Sequence, residues 1–193
     1  MKTVSVMASL ILICFSAILS VGQDGQQLDM KAVATAGHLN GSSEYENAYF
    51  GVTVRIPEPN SHLVLNGLVA ENRAILLEAV NDRGNIAQRH NFVVVAHSAY
   101  FSGHAASTEQ FVRGVCQQFE TEGFRAIRSQ IPVVIAGQRF IESDLKKESK
   151  DQTYYKAVMF TRMKGYMFGF WMEAATKEQL EQQTNLQDKI RFR

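Results

Sequence analysis

His97, Ser98 and His104 are the residues whose types and closeness in the chain could do chemistry. Paired imidazoles can hold a metal or pass a proton, and a serine beside a histidine can become a nucleophile. The spacing favours neither. The two histidines lie seven residues apart across an expected strand end and loop, unlike the i, i+4 helical pair or the short-spaced ligands of zinc sites. Glu109 is the first acid after them, so no carboxylate completes a set. Ser98 lacks the Gly-x-Ser-x-Gly elbow of a hydrolase nucleophile, and Ser102-Gly103 reads more simply as a turn. His38, His62 and His90 are scattered and could join only through the fold. Gly165 and Gly169 sit in strand-like sequence with no helix start behind them, so no phosphate loop is expected. The reading is therefore no catalytic residue, no metal site and no cofactor. The alternative is a metal-dependent or hydrolytic secreted enzyme using His97 and His104, with Ser98 as a further candidate.

What the same stretch offers instead is contact surface. The loop from Ala99 to Ser107 carries Tyr100, Phe101 and His104 without an evident structural duty, and these three are the candidate partner contacts. The partner is expected to be a protein or a small ligand. With 20 Lys+Arg against 19 Asp+Glu, the formal charge of +1 gives no general attraction to nucleic acid or anionic lipid. Tyr166, Phe168, Phe170 and Trp171 form an aromatic run, but without basic surroundings it reads as core rather than as a stacking platform for bases.

The first residues read as an address. Lys2 precedes an apolar run from Val6 to Leu19, and Ser20 and Gly22 place small residues at −3 and −1 of a cleavage before Gln23. This is the layout of a cleaved secretory signal peptide over 1–22, and the apolar run is short for a membrane span of ~20 residues. Cys14 follows Ile13, where a lipid-anchor signal wants a small residue. Cleavage would remove Lys2 and Cys14, leaving a mature chain of no net formal charge with Cys116 alone. The protein is thus expected to be exported, periplasmic or extracellular, with no integral span after cleavage and no internal disulfide. Cys116 falls beside the apolar stripe of an expected helix, which favours a structural thiol over a nucleophile or a dimer-forming one.

The elements that must position these residues are legible in part. Residues 23–38 are polar and small and read as a flexible lead-in, followed by one domain over 39–193. Strands are expected at Gly51 to Ile56, closed by Pro57 and Pro59, at Arg73 to Val80 before Asn81-Asp82-Arg83-Gly84, and at Asn91 to Ser98. Ser107 and Gln110 form a capping box ahead of Phe111, Val112, Val115 and Phe119, with Gly123 able to end the helix. Thr176 and Gln179 repeat the box before Leu180. Val133 to Ile141 reads as a strand with Gly137 as a bulge or bend, and Glu142 to Gln152, with charges of both signs, as a solvated hairpin loop. Thr153 to Met163 and Tyr166 to Ala174 read as a hairpin turning at Lys164-Gly165. That turn sets Met163 against Tyr166, Thr161 against Phe168, Met159 against Phe170 and Ala157 against Met172 on one face. It sets Arg162 against Met167, Phe160 against Gly169, Val158 against Trp171 and Lys156 against Glu173 on the other. Both faces are largely apolar, so both require cover.

Three stretches together resemble PsbP-like domains. Tyr45-Glu46-Asn47-Ala48-Tyr49-Phe50-Gly51, running through the strand to Pro57, is similar to that family's Tyr-x-Asn-x-x-Phe-Gly opening. Gly137-Gln138-Arg139-Phe140 sits where such domains carry a glycine before a strand. Lys164-Gly165-Tyr166 between long strands, then Ala174 to Leu180 and the closing Ile190-Arg191-Phe192, is similar to the family's ending. The resemblance covers about residues 40–193. It implies an α+β fold, a central antiparallel sheet flanked by helices on both faces as an α/β/α sandwich. The family embraces an extrinsic photosystem II subunit, secreted bacterial proteins of mostly unknown role and a relative that binds a small GTPase. It therefore implies an exported non-enzymatic accessory or binding protein, and it offers no catalytic residues to carry over.

Overall fold

Lys164 and Gly165 both take positive φ, 50° and 81°, as the tight type I′ turn of a two-residue hairpin demands. The turn joins β11 (Thr153–Met163) to β12 (Tyr166–Ala174), and every cross-strand pair expected from it is present, from Met163 opposite Tyr166 to Lys156 opposite Glu173. The computed structural model describes residues 29–57, 62–81, 90–101, 104–105, 107–150 and 152–193, with the backbone alone at 100–101 and 104–105. The expected signal peptide and the turns at Asp82 to Gly84 and Ser102-Gly103 lie outside the described residues.

Around this hairpin runs a seven-stranded antiparallel sheet in the order β4-β5-β6-β12-β11-β10-β9. Its other strands are β4 (His62–Val69), β5 (Arg73–Asn81), β6 (His90–Ser98), β9 (Arg125–Ile135) and β10 (Gln138–Glu148). A second sheet of four short strands has the order β1-β2-β3-β13, from β1 (Gly37–Asn40), β2 (Glu44–Asn47), β3 (Val52–Arg55) and β13 (Ile190–Phe192). Side chains of the two sheets share one core. Tyr45, Val52, Val54 and Ile190 of the small sheet are buried with Phe140, Phe168, Phe170 and Met172 of the large one. Phe50, just before β3, seats its ring 4.9 Å from that of Phe168. Burying each such ring fully contributes about 1.5–3 kcal/mol.

This arrangement corrects the expected α/β/α sandwich. The protein is β-rich, and one face of the large sheet is covered chiefly by the small sheet. The short helices α1 (Met30–Thr35) and α3 (Lys177–Thr184) stand beside that sheet, contributing Met30, Val33 and Leu180 to the same core. On the opposite face a single longer helix, α2 (Thr108–Thr121), packs on β9, β10 and β11. Its buried Phe111, Val112, Cys116 and Phe119 meet Val95, Val158, Phe160 and Met167. Both capping boxes form, at Ser107/Gln110 and Thr176/Gln179, and Gly123 takes the left-handed conformation (φ 90°) just past α2.

Three local expectations also change. Ala136 and Gly137, with φ of 48° and 81°, form a second two-residue turn between β9 and β10, so the single strand expected over Val133 to Ile141 is two, with Gly137 at the reversal between them. The charged run after Ile141 is not a loop at its start: β10 continues to Glu148, and Glu142, Ser143 and Asp144 are buried. Within the stretch expected as a flexible lead-in, Asp29 caps α1 through the amide of Ala32, and Met30, Val33 and Ala34 are buried.

Candidate functional site

Between β6 and α2 the described residues hold a short two-stranded ladder. Tyr100–Phe101 (β7) pairs with His104–Ala105 (β8), Tyr100 opposite Ala105 and Phe101 opposite His104. Its root is fixed to two neighbouring turns. The amide of Ser98 donates to the carbonyl of Asn72 (2.8 Å), beyond the tip of the β4–β5 hairpin, and the amide of Ala99 donates to the carbonyl of Gly165 (3.3 Å). The β4–β5 turn, the β11–β12 turn and the root of this ladder thus meet at one end of the large sheet. Leu68 and Val69 lie on the same end, 39% and 43% exposed, whereas their partners Ile75 and Ala74 on β5 are half-buried and fully buried. Leu68, paired with Ile75 on the α2 face, and Val69, paired with Ala74 on the opposite face, are exposed aliphatic side chains at this sheet end that the sequence left unread, because β4 was not anticipated as a strand.

The chemical alternative fares differently. His97 and Ser98 are consecutive residues of one strand, so their side chains leave opposite faces of the sheet. His97 stands opposite Met167 and Arg73 on the α2 face, and Ser98 stands opposite Tyr166 on the main-core face. They cannot act as a dyad. The imidazole of His97 is ringed by Phe111 (5.2 Å between centroids), Trp171 (5.7 Å) and Phe160 (6.0 Å). Burial first, and then the guanidinium of Arg73, lowers its pKa to about 3, so the ring is neutral at pH 7. Arg73 in turn lies 5.8 Å from the Trp171 ring centroid, a cation-on-aromatic contact. His90 is at the far end of the same strand, and among the described residues no three His, Cys, Asp or Glu side chains gather as metal ligands would. Cys116 is buried against the large sheet, and its thiol is pushed up, first by burial. A raised thiol is a poor nucleophile.

The Tyr45-to-Gly51 stretch acts as a structural knot. Asn47 is fully buried, and its amide nitrogen donates to the Val33 carbonyl (3.0 Å) and the Tyr45 hydroxyl (2.9 Å). Its Oδ1 accepts from the amide of Phe50 (3.2 Å), and the carbonyl of Gly51 accepts from the amide of Arg193 (2.8 Å). One side chain therefore ties α1, β2 and the turn before β3 together. The ammonium of Lys156, also buried, is paired with Glu173 and lies 4.5 and 4.9 Å from the ring centroids of Phe119 and Phe124. That pair pins the end of α2 rather than offering a free charge.

No family model matches the chain, and no curated protein sequence matches it. Solved structures do. The solution structure of PsbP from the cyanobacterium Synechocystis is similar with a TM-score of 0.49 and 10% identity, over 82% of this chain and 99% of that one. The Ran-binding protein Mog1p of Saccharomyces cerevisiae is similar with a TM-score of 0.43 and 15% identity, over 74% of this chain and 82% of that one. LpqN, described as involved in cell envelope biogenesis of Mycobacterium tuberculosis, is similar with a TM-score of 0.39 and 8% identity, over 68% and 84%. At these identities no residue's role passes from them to this chain.

Proposed function

We propose that this chain is an exported, non-enzymatic accessory protein that works by binding a protein partner through the end of its large sheet. Tyr100, Phe101 and His104 of the β7–β8 ladder are the proposed contacts, with Leu68 and Val69 beside them. The observation that carries the reading is the exposure of Leu68 and Val69 next to a two-stranded ladder whose root is tied to the same sheet end. Exposed aliphatic side chains at a sheet end suit a protein interface, and aromatic residues supply much of the binding energy where an interface has them. No helix among the described residues is long and apolar enough to cross a membrane. The reading needs no cofactor.

The test is crosslinking in the native host, comparing the parent with two double variants, Tyr100→Ser/Phe101→Ser and Leu68→Ser/Val69→Ser. Both should lose most of the partner captured by the parent while melting within a few degrees of it. Unchanged capture by both variants removes this surface from consideration.

A further inference from the structure

Phe140, Glu142 and Asp144 alternate along β10 onto the face of the main core, and both acids are buried, 4% and 7% exposed. Their ladder neighbours are apolar on both sides of Glu142: Ile131 on β9 and Met159 on β11, with Ala157 opposite Asp144. One cation reaches both. The half-exposed guanidinium of Arg128 on β9 lies 3.6 Å from Glu142 and 3.5 Å from Asp144. The other charges near Asp144 are Lys177 and Glu181 of α3, which pair with each other at 3.0 Å and so largely cancel. Lys146, the next residue on this face, pairs with Glu148 at 2.5 Å, and Tyr155 stands opposite it on β11.

Two buried carboxylates against one half-solvated cation leave negative charge in an apolar seam, which binding a proton relieves. Oδ1 of Asp144 finds no hydrogen-bond partner among the described residues, and a carboxyl proton on Glu142 would supply the missing donor. Burial, and next the Asp144 charge, pushes Glu142 up to about 7, and burial raises Asp144 too. The ladder between β9 and β10 is irregular at the same place, shifting register between Glu142 and Asp144 and again between Asp144 and Leu145. Such interruptions mark where a strand pair is weakest.

We propose that Glu142 and Asp144 share one proton in the folded protein and that its loss in mildly alkaline solution frees β9 from β10 between Arg125 and Gln130. The folded protein then holds this proton more tightly than the unfolded chain does. Native stability accordingly falls as pH rises from the ordinary glutamate value of 4.5 through about 7. The sheet edge is a flap, closed in acid and loosened in base.

Amide hydrogen exchange of the full chain tests this, measured at about pH 6 and about pH 8.5, with each rate divided by its unstructured-chain value. Protection across Arg125 to Gln130 should fall at least tenfold at the higher pH, while that of β12 holds. Glu142→Gln, which carries a permanent donor, should keep the protection at both pH values. Equal protection of Arg125 to Gln130 in the parent at the two pH values overturns the proposal, as does a Glu142→Gln variant that shows the full fall. If that variant does not fold, carbon-13 titration of the parent's carboxyls decides. One of the pair titrating near 7 upholds the shared proton, and both titrating at the ordinary 3.8 and 4.5 refute it.

Discussion

Gly169 is the position where packing and intrinsic propensity make opposite forecasts. Glycine weakens a strand by roughly 0.5–1 kcal/mol relative to alanine, so propensity alone expects Gly169→Ala to stabilise. The structure expects the reverse. A Cβ at Gly169 would fall on the backbone carbonyl oxygen of Met159, and 2.5 and 2.8 Å from Cδ1 and Cγ of Phe160. The first obstacle belongs to the strand ladder and cannot swing away. The second is a fully buried ring wedged 4.9 Å from Phe111, so moving it disturbs the seat of α2. Overpacking of this kind costs about 1–3 kcal/mol, and with no flexible neighbour to yield the upper end applies, ~3 kcal/mol. For a domain of this size each kcal/mol lowers Tm by about 2–4 °C, which gives a loss of roughly 6–12 °C. Gly169→Val should be at least as damaging, since the clash begins at Cβ. Thermal and urea melts followed by circular dichroism measure the loss. Fluorescence of Trp171, the single tryptophan, reports on the α2 face. A Gly169→Ala protein that melts at or above the parent temperature refutes the close approach.

Two further expectations rest on single side chains. Asn47→Ala strips partners from the Val33 carbonyl, the Tyr45 hydroxyl and the Phe50 amide together. At about 1–3 kcal/mol for each of these three buried groups left unpaired, a loss of at least ~3 kcal/mol is expected, with protease cleavage near α1 faster than in the parent. His97→Phe should flatten the acid limb of the stability profile. A histidine held neutral in the fold contributes stability above 6.5 that is lost as pH falls from there toward about 3. The difference in melting temperature between parent and variant should therefore shrink or reverse across that window, and a difference independent of pH would show that His97 is not held neutral.

How much of this was readable from the chain depends on how local each signal is. The β11–β12 register is set by a two-residue turn and by alternation within twenty residues, so the sequence contained all of it. The capping boxes are equally local, with Ser107 and Gln110 three residues apart. The small sheet is different. Its strand at Ile190–Phe192 pairs with Val52–Val54, and neither three-residue run signals the other. The helices announced themselves while their main competitor for the large sheet's face did not, so nothing local opposed the sandwich that the family resemblance implied. Glu142 and Asp144 misled for another reason. A charged run usually marks solvent, yet here Phe140, Glu142 and Asp144 keep a strand's alternation while Arg128 arrives from the neighbouring strand. Of the chemical candidates, the divergence of His97 and Ser98 follows from strand alternation alone. The aromatic enclosure of His97 required the fold.

The pairing of Ile190–Phe192 with Val52–Val54 also bears on the order of events in folding. Each half of the large sheet, β4–β5–β6 and β9–β10–β11–β12, can assemble from successive hairpins, with β9–β10 and β11–β12 each closing through two residues, before β6 meets β12. The sheet's main face, with Phe140, Phe168 and Phe170, stays uncovered on one side until residues far apart in sequence meet. Closing so long a loop is entropically costly and slows folding. A chain synthesised from its amino end therefore carries a sticky, half-covered sheet until Ile190 arrives.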